Sequence, residues 1–233
     1  MLKRLLIVVA ILLGLAALAD RFLARAAGEA AGAQVRRVTH TQQAADVKFR
    51  GFPFVTQAVG GTFDQVDVVA RDVPVEGLQI KRIDAHFSGV HVNLGRALAG
   101  DLAAVNTDRA KATARLTYDD LNSYLRRRGS LTVAAAGGRV SISGQVRVNG
   151  AMIDGLAMAT VTLRPGSIVL QVSEASAGGK PIPASAARLM TVTVPTQGLP
   201  FGIALQSVVV EADALIMRGT ASGILIPPKK LSG

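Results

Sequence analysis

The chain opens with an uninterrupted apolar run at residues 5–19, preceded by Lys3 and Arg4 and ended by Asp20. A short basic start, an apolar stretch and small residues before a cleavage point after Ala19 are typical of a secretory signal. A retained membrane anchor is the alternative, although a helix over this run reaches only about 22 Å of a hydrocarbon core of about 30 Å. Both interpretations predict an exported folded part, because basic residues before the run keep the N-terminus cytoplasmic.

The pattern changes after the run. Residues 20–33 are rich in alanine with scattered charges, which predicts a helical stem. Beyond residue 34, apolar positions mostly alternate with polar ones, as in half-buried β-strands, and residues 139–148 are the clearest case. The predicted strands lie at residues 62–73, 78–94, 110–118, 139–148, 156–163, 168–172, 201–211, 214–218 and 223–226.

Two segments depart from the β pattern. At residues 117–129, Thr117 with Asp120 three residues later forms a capping-box variant, and Gly129 is a stop signal. Between them, apolar residues at helical spacing precede three arginines in the last turn: Leu121, Tyr124, Leu125, Arg126, Arg127 and Arg128. This segment predicts a short amphipathic helix, and residues 183–190 predict a second, weaker one.

These elements predict a mainly β, α+β protein built on one long, mostly antiparallel sheet. Strands such as the one at residues 203–210 are apolar on both faces, so the sheet is either covered on each side or curled around something. Because few helices are predicted to cover the two faces of the sheet, the pattern suggests a sheet curled around an apolar cavity. A plain sandwich core is the alternative. The predicted organisation is a signal or anchor (1–19), a helical stem (20–33), a single domain (34–226) and a tail (227–233).

The composition and the net charge exclude several classes of function and of binding partner. Of 233 residues, 49% are hydrophobic and 18% charged, which disfavours disorder. The absence of cysteine excludes disulfides, thiolate metal sites and thiol catalysis. The net charge of +10 favours phospholipid headgroups or acidic envelope polymers as partners of an exported protein. Nucleic acid is disfavoured because aromatic residues, 4% of the chain, are not interleaved with the arginines.

Candidate catalytic and metal-binding residues are few. Asp84 and His86 share one strand face, but His91 points to the other, so the three do not form a predicted metal site. Asp119 and Asp120 suit the first turn of a helix better than an acid pair. No serine lies in a G-x-S-x-G motif. We therefore predict a protein without catalytic residues, metal or cofactor.

Several strings along the chain are shared with one protein family. GFPFVTQ at residues 51–57 is the most specific, followed by GG at 60–61 and FSGV at 87–90; LPFGI at 199–203 and the valines at 208–210 come later. In these strings the chain resembles the LmeA-like phospholipid-binding family of bacterial envelope proteins, over roughly residues 30–226. The resemblance implies a fold like the tubular lipid-binding proteins of the bactericidal/permeability-increasing type, in which a strongly curved antiparallel sheet wraps around helix and leaves an apolar groove.

The resemblance also implies phospholipid binding at the cell envelope. An acyl chain of about sixteen carbons loses roughly 13 kcal/mol on leaving an apolar environment, so a carrier needs a dry, elongated groove. The predicted groove lining, with ordinary core as the alternative, is Phe52, Phe54, Leu121, Leu125, Leu199, Phe201 and Ile203. For the headgroup or the membrane surface we predict Arg126, Arg127 and Arg128, with compensation of the helix dipole as the alternative.

The predicted function is therefore phospholipid binding, extending to lipid transfer, in the periplasm or cell envelope. Phospholipids and the membrane surface are the predicted partners, and the sequence does not predict an oligomeric state. The alternative is a non-enzymatic envelope scaffold or adaptor that supports glycolipid or cell-wall polymer assembly without extracting lipid.

Overall fold

The computed structural model describes residues 2–39, 41–93, 105–148, 151–197, 199 and 202–223. Four helices lie in this part of the chain: α1 (Leu2–Thr39), α2 (Phe54–Gly60), α3 (Tyr118–Arg126) and α4 (Ala184–Arg188). The strands are β1 (Asp46–Arg50), β2 (Thr62–Val75), β3 (Leu78–Val92), β4 (Val105–Thr117), β5 (Thr132–Ala136), β6 (Arg139–Val148), β7 (Ala151–Arg164), β8 (Ser167–Ala177), β9 (Lys180–Pro181), β10 (Val192–Pro195), β11 (Ala204–Val210) and β12 (Ala214–Ala221). The predicted mainly β class is confirmed.

The strands form two sheets, whereas the sequence pattern had suggested one. One sheet has the order β1-β2-β3-β4-β12-β11, and the other has the order β10-β8-β7-β6-β5 with β9 on β8. Neighbours pair antiparallel, for example Phe49 opposite Val66 and Val140 opposite Ala159. The final hairpin β11–β12 pairs with β4 and not with the second sheet. Alternation along a strand predicts that it is a strand but not which partner it selects.

The first helix is longer than predicted. Residues 2–33 of the predicted leader (1–19) and stem (20–33) belong to one continuous helix, α1. Among the described residues, no helix has an apolar stretch long enough to cross a bilayer. The predicted extent of a single domain and the predicted tail stay predictions, and the tail lies outside the described residues.

Helix α3 forms for the local reasons that its sequence indicates. The Asp120 N–H donates to the Thr117 hydroxyl oxygen at 3.2 Å, and that hydroxyl donates to the Asp120 carboxylate at 2.6 Å. Leu121, Tyr124 and Leu125 are buried along one face. The helix ends at Arg126, directly after its last buried residue, Leu125.

The chain divides into two compact units. Unit 1 comprises Met1–Ala70, Asp84–Lys111 and Ala221–Gly233, and unit 2 comprises Arg71–Ile83 and Ala112–Thr220. The core of unit 1 includes Phe54, Phe63, Val66, Ala85 and Phe87. The core of unit 2 includes Ile80, Leu116, Leu121, Ile142, Leu170 and Leu215. The candidate sites below each lie within one unit.

Candidate functional site

In unit 1, helix α1 packs against β1 through a stripe of small residues. Ala24, Gly28 and Gly32 are four residues apart, and all three are buried. A Cβ at Gly28 would overlap the carbonyl oxygen of Val47, and one at Gly32 would overlap that of Ala45. The Ala45 N–H donates to the Gly32 carbonyl at 3.3 Å. The helix therefore lies directly on the backbone that leads into and forms β1.

An open cleft of about 700 Å³ lies between α1 and β1. Its volume is in the range of small-molecule pockets. Charged side chains along its lining are Arg21, Arg25, Lys48, Arg50, Glu29 and Asp46. Lys48 pairs with Asp46 at 3.1 Å and Arg50 pairs with Asp67 at 2.7 Å. Arg25 forms no ion pair within the described part of the chain, so the cleft offers a free guanidinium to an anion.

The GFPFVTQ string turns its two phenylalanines to opposite sides. Phe54 is 8% exposed, and its ring packs at 5.4 Å from that of Phe49 and 5.8 Å from that of Phe63. Phe52 is 58% exposed, and its ring lies 5.4 Å from the guanidinium of Arg21. The two residues were predicted together for the groove, yet one belongs to an aromatic cluster and the other faces solvent.

Asp20, the residue that ends the apolar run, is buried against the start of α2. Its Oδ1 accepts a hydrogen bond from the Val55 N–H at 2.9 Å. Hydrogen bonds from the backbone N–H groups of Phe54 and Val55, with Arg21 nearby, lower the pKa of Asp20 although burial opposes the charge. The carboxylate therefore caps α2 and ties the GFPFVTQ string to α1.

Unit 2 contains a small apolar crevice. Its lining consists of apolar side chains: Ile83, Ala112, Ala114, Leu199, Ile203, Leu205 and Met217. Its volume of about 20 Å³ accommodates about one water molecule. The crevice brings together two of the predicted groove residues, Leu199 and Ile203, while Phe201 between them lies outside the described residues.

The other predicted residues of unit 2 lie on or beside α3. Leu121 and Leu125 are buried in the core and do not line the crevice. Arg126 donates to the Ser123 hydroxyl at 2.8 Å, Arg127 donates to the Gly77 carbonyl, and Arg128 lies 4.1 Å from the centre of the Tyr124 ring. The three arginines are exposed and turn to different partners.

A family model of LmeA-like phospholipid-binding proteins matches residues 18–220. The chain belongs to this family. No curated protein and no solved structure matches the chain. The match to the LmeA-like family includes the part of α1 that packs on β1, the GFPFVTQ string, and the crevice residues Leu199 and Ile203. The family assignment expected from the sequence strings is thus confirmed, and with it a family whose defining property is phospholipid binding.

Two histidines of this LmeA-like protein, His86 and His91, have separate carboxylate partners in unit 1. His86 Nδ1 lies 2.9 Å from Asp67 Oδ1, and His91 Nε2 lies 3.2 Å from Asp108 Oδ1. Burial raises the pKa of Asp67, but hydrogen bonds from His86, Arg50 and Gln65 outweigh it and lower the pKa from 3.8 to about 2. Across the described residues, no three His, Asp or Glu side chains are grouped as metal ligands would be. We interpret the Asp67 cluster as structural.

Sequence reasoning missed the role of α1 in the LmeA-like domain. Asp20, Ala24, Gly28 and Gly32 recur every fourth residue, which is the spacing of one helix face. Small residues at this spacing indicate that one face of the helix packs closely against another element, although they do not identify that element. The crevice lining was similarly readable at Ala112 and Ala114, which share a strand face.

Proposed function

We propose that this LmeA-like protein binds a phospholipid outside the cytoplasmic membrane, in the cell envelope, as a carrier and without catalysis. Its acyl chain enters unit 2 at the apolar crevice, and basic side chains near α3 hold the headgroup. The observation that carries the proposal is the family match over residues 18–220, together with an almost entirely apolar lining around Leu199 and Ile203.

The acyl-chain part of the proposal requires the crevice to widen. A chain of about sixteen carbons needs contacts worth roughly 13 kcal/mol to leave a bilayer, at ~0.8 kcal/mol per CH₂. A crevice of about 20 Å³ supplies only the start of such a site. Leu199 and Ile203 lie outside the strands, so they move with less loss of backbone hydrogen bonds than Ala112 or Ala114. Leu199 and Ile203 are therefore the lining residues that yield to the lipid.

Arg126, Arg127 and Arg128 are the proposed headgroup contacts. Their guanidinium groups are exposed, and each has several donors beyond the one contact that it makes inside unit 2. Arginine matches a phosphate with two parallel donors. Because membrane and groove offer nearly the same apolar contribution, these charge-assisted bonds set the choice of lipid.

Native mass spectrometry of the gently purified full chain tests the proposal. We expect a phospholipid to co-purify, to be lost from Ile203→Arg, and to remain in the matched variant Val209→Arg, which introduces the same charge at an exposed position of β11. Ala114→Leu, which fills the crevice without adding charge, is the second variant and is expected to lower lipid occupancy. Lipid-free protein in every preparation would contradict phospholipid carriage.

A scaffold or adaptor that does not extract lipid is the second candidate, and the small volume of the crevice favours it. In that case the same preparations contain no lipid, and Ile203→Arg behaves as Val209→Arg does. We propose export for both candidates. Intact mass of protein from the envelope fraction distinguishes cleavage after Ala19 from a retained anchor.

A further inference from the structure

Unit 1 exposes apolar side chains along the GFPFVTQ string and the rest of α2. We call it the loop patch: Phe52, Val55 and Val59. Val55 and Val59 are four residues apart and share one face of α2, and Val59 is 80% exposed. Phe54 turns the other way into the core. Val55 and Val59 therefore face outward from α2, whose inner side is packed through Phe54, and Phe52, two residues before the helix, is exposed as well.

The structure joins the loop patch to the end of the apolar run of α1. Asp20, the first residue after that run, accepts the hydrogen bond of Val55, and Arg21 lies against Phe52. Large apolar side chains of α1 on both sides of this junction are also exposed, namely Ile11, Leu12, Leu13, Leu15, Leu18, Phe22 and Leu23. The patch and the exposed apolar length of α1 thus meet at residues 20–23.

Two basic side chains, Arg21 and Arg25, follow the apolar run at this junction. Arg21 donates to the Gly51 carbonyl at 3.4 Å and faces the Phe52 ring, which holds its charge beside the patch. Arg25 follows one turn later and has no ion-pair partner among the described residues. Aromatic and aliphatic side chains next to arginine are characteristic of the interface between headgroups and acyl chains.

We propose that the loop patch docks on the surface of a bilayer containing anionic phospholipid, with Phe52 and Val59 among the acyl chains and with Arg21 and Arg25 on headgroup phosphates. This inference deepens the proposed function and rests on it, since it names the surface through which a lipid-binding protein meets its membrane. A bilayer is the occupant that satisfies both features, because it accepts the apolar helix on all sides and carries the complementary charge.

The absence of native cysteine allows a direct test on the full chain. Val59→Cys and the matched control Leu189→Cys, an equally apolar position in unit 2 that is 61% exposed, each carry an environment-sensitive fluorophore. Both proteins are reconstituted into phosphatidylcholine vesicles containing phosphatidylglycerol and a lipid-borne quencher. We expect a blue shift and several-fold stronger quenching at position 59 than at position 189. Equal quenching at both positions overturns the inference.

Two further variants make the outcome specific. Phe52→Ser in the Val59→Cys background is expected to lower quenching, while Arg126→Ala with Arg127→Ala and Arg128→Ala leaves it unchanged. If the arginine triple variant lowers quenching and Phe52→Ser does not, docking occurs through α3 and the inference is overturned. Lipid occupancy, measured by native mass spectrometry on the same samples, separates the two proposals: co-purified phospholipid with an unquenched probe contradicts docking and leaves the proposed function standing.

Discussion

The contact between α1 and β1 gives the sharpest prediction. Gly28 has no room for a side chain, since a Cβ there meets the backbone carbonyl of Val47. Gly14 lies in the same helix with open space around it. Gly28→Ala and Gly14→Ala therefore make the same chemical change in one helix, and only the first one meets β1.

The magnitude follows from two opposing effects. Alanine stabilises a helix interior over glycine by about 1 kcal/mol. Overpacking costs about 1–3 kcal/mol, and the upper value applies at Gly28 because the overlapped atom is backbone and does not rotate away. The net loss for Gly28→Ala is then about 2 kcal/mol, or roughly a 30-fold larger open population of the α1–β1 contact. Gly14→Ala is expected to be neutral or stabilising.

Amide hydrogen exchange followed by mass spectrometry on the full chain measures this difference. Peptides covering residues 20–35 should exchange roughly 30-fold faster in Gly28→Ala than in the parent chain, with little change in unit 2. Gly32→Ala, which meets the carbonyl of Ala45, should behave like Gly28→Ala. Equal protection in Gly28→Ala and Gly14→Ala refutes the conclusion that α1 is packed on the strand.

Two more predictions concern unit 1. The pKa of Asp67 is lowered to about 2 in the folded protein, so its ionised carboxylate stabilises the fold above about pH 4. This stabilisation is lost as the pH falls toward about 2 and the carboxylate is protonated. Asp67→Asn should therefore cost about 1–2 kcal/mol at neutral pH, allowing for the exposed partners, and less as the pH falls, measured by urea unfolding. Phe54→Ala should cost about 3–4 kcal/mol by the same measurement because it removes a buried ring and leaves a cavity beside Phe49 and Phe63, whereas Phe52→Ala, at an exposed position, should cost under about 0.5 kcal/mol. A similar loss for both phenylalanines would contradict the opposite placement of their side chains.

Structural elements whose formation depends only on residues close together in the sequence could be predicted from the sequence. Thr117 and Asp120 are three residues apart and cap α3 with their own side chains, so no distant residue is required. Alternation of apolar and polar positions identified β6 and β7 because the side-chain period of a strand is local. The strings at residues 51–57 and 199–203 identified the family for the same reason.

The candidate site was predictable only in part. Leu199 and Ile203 lie together at the crevice, but Ile83, Ala112 and Ala114, which also line it, are more than eighty residues away in the chain. Similarly, both phenylalanines of the GFPFVTQ string are apolar and two residues apart. A cluster with Phe49 and Phe63, brought together by the pairing of β1 with β2, determines that Phe54 is the buried one.

By itself, the sequence determined the mainly β class, the cap of α3, the apolar start of the chain and membership of a phospholipid-binding family, because periodicity, capping and motif strings are properties of adjacent residues. Only the tertiary structure decided that the strands divide into two sheets, that Gly28 and Gly32 let α1 lie on β1, and that Asp20 caps a helix thirty-five residues away. The physical reason is that strand pairing and close backbone approach depend on which distant surfaces fit each other, and spacing along the chain does not encode that choice.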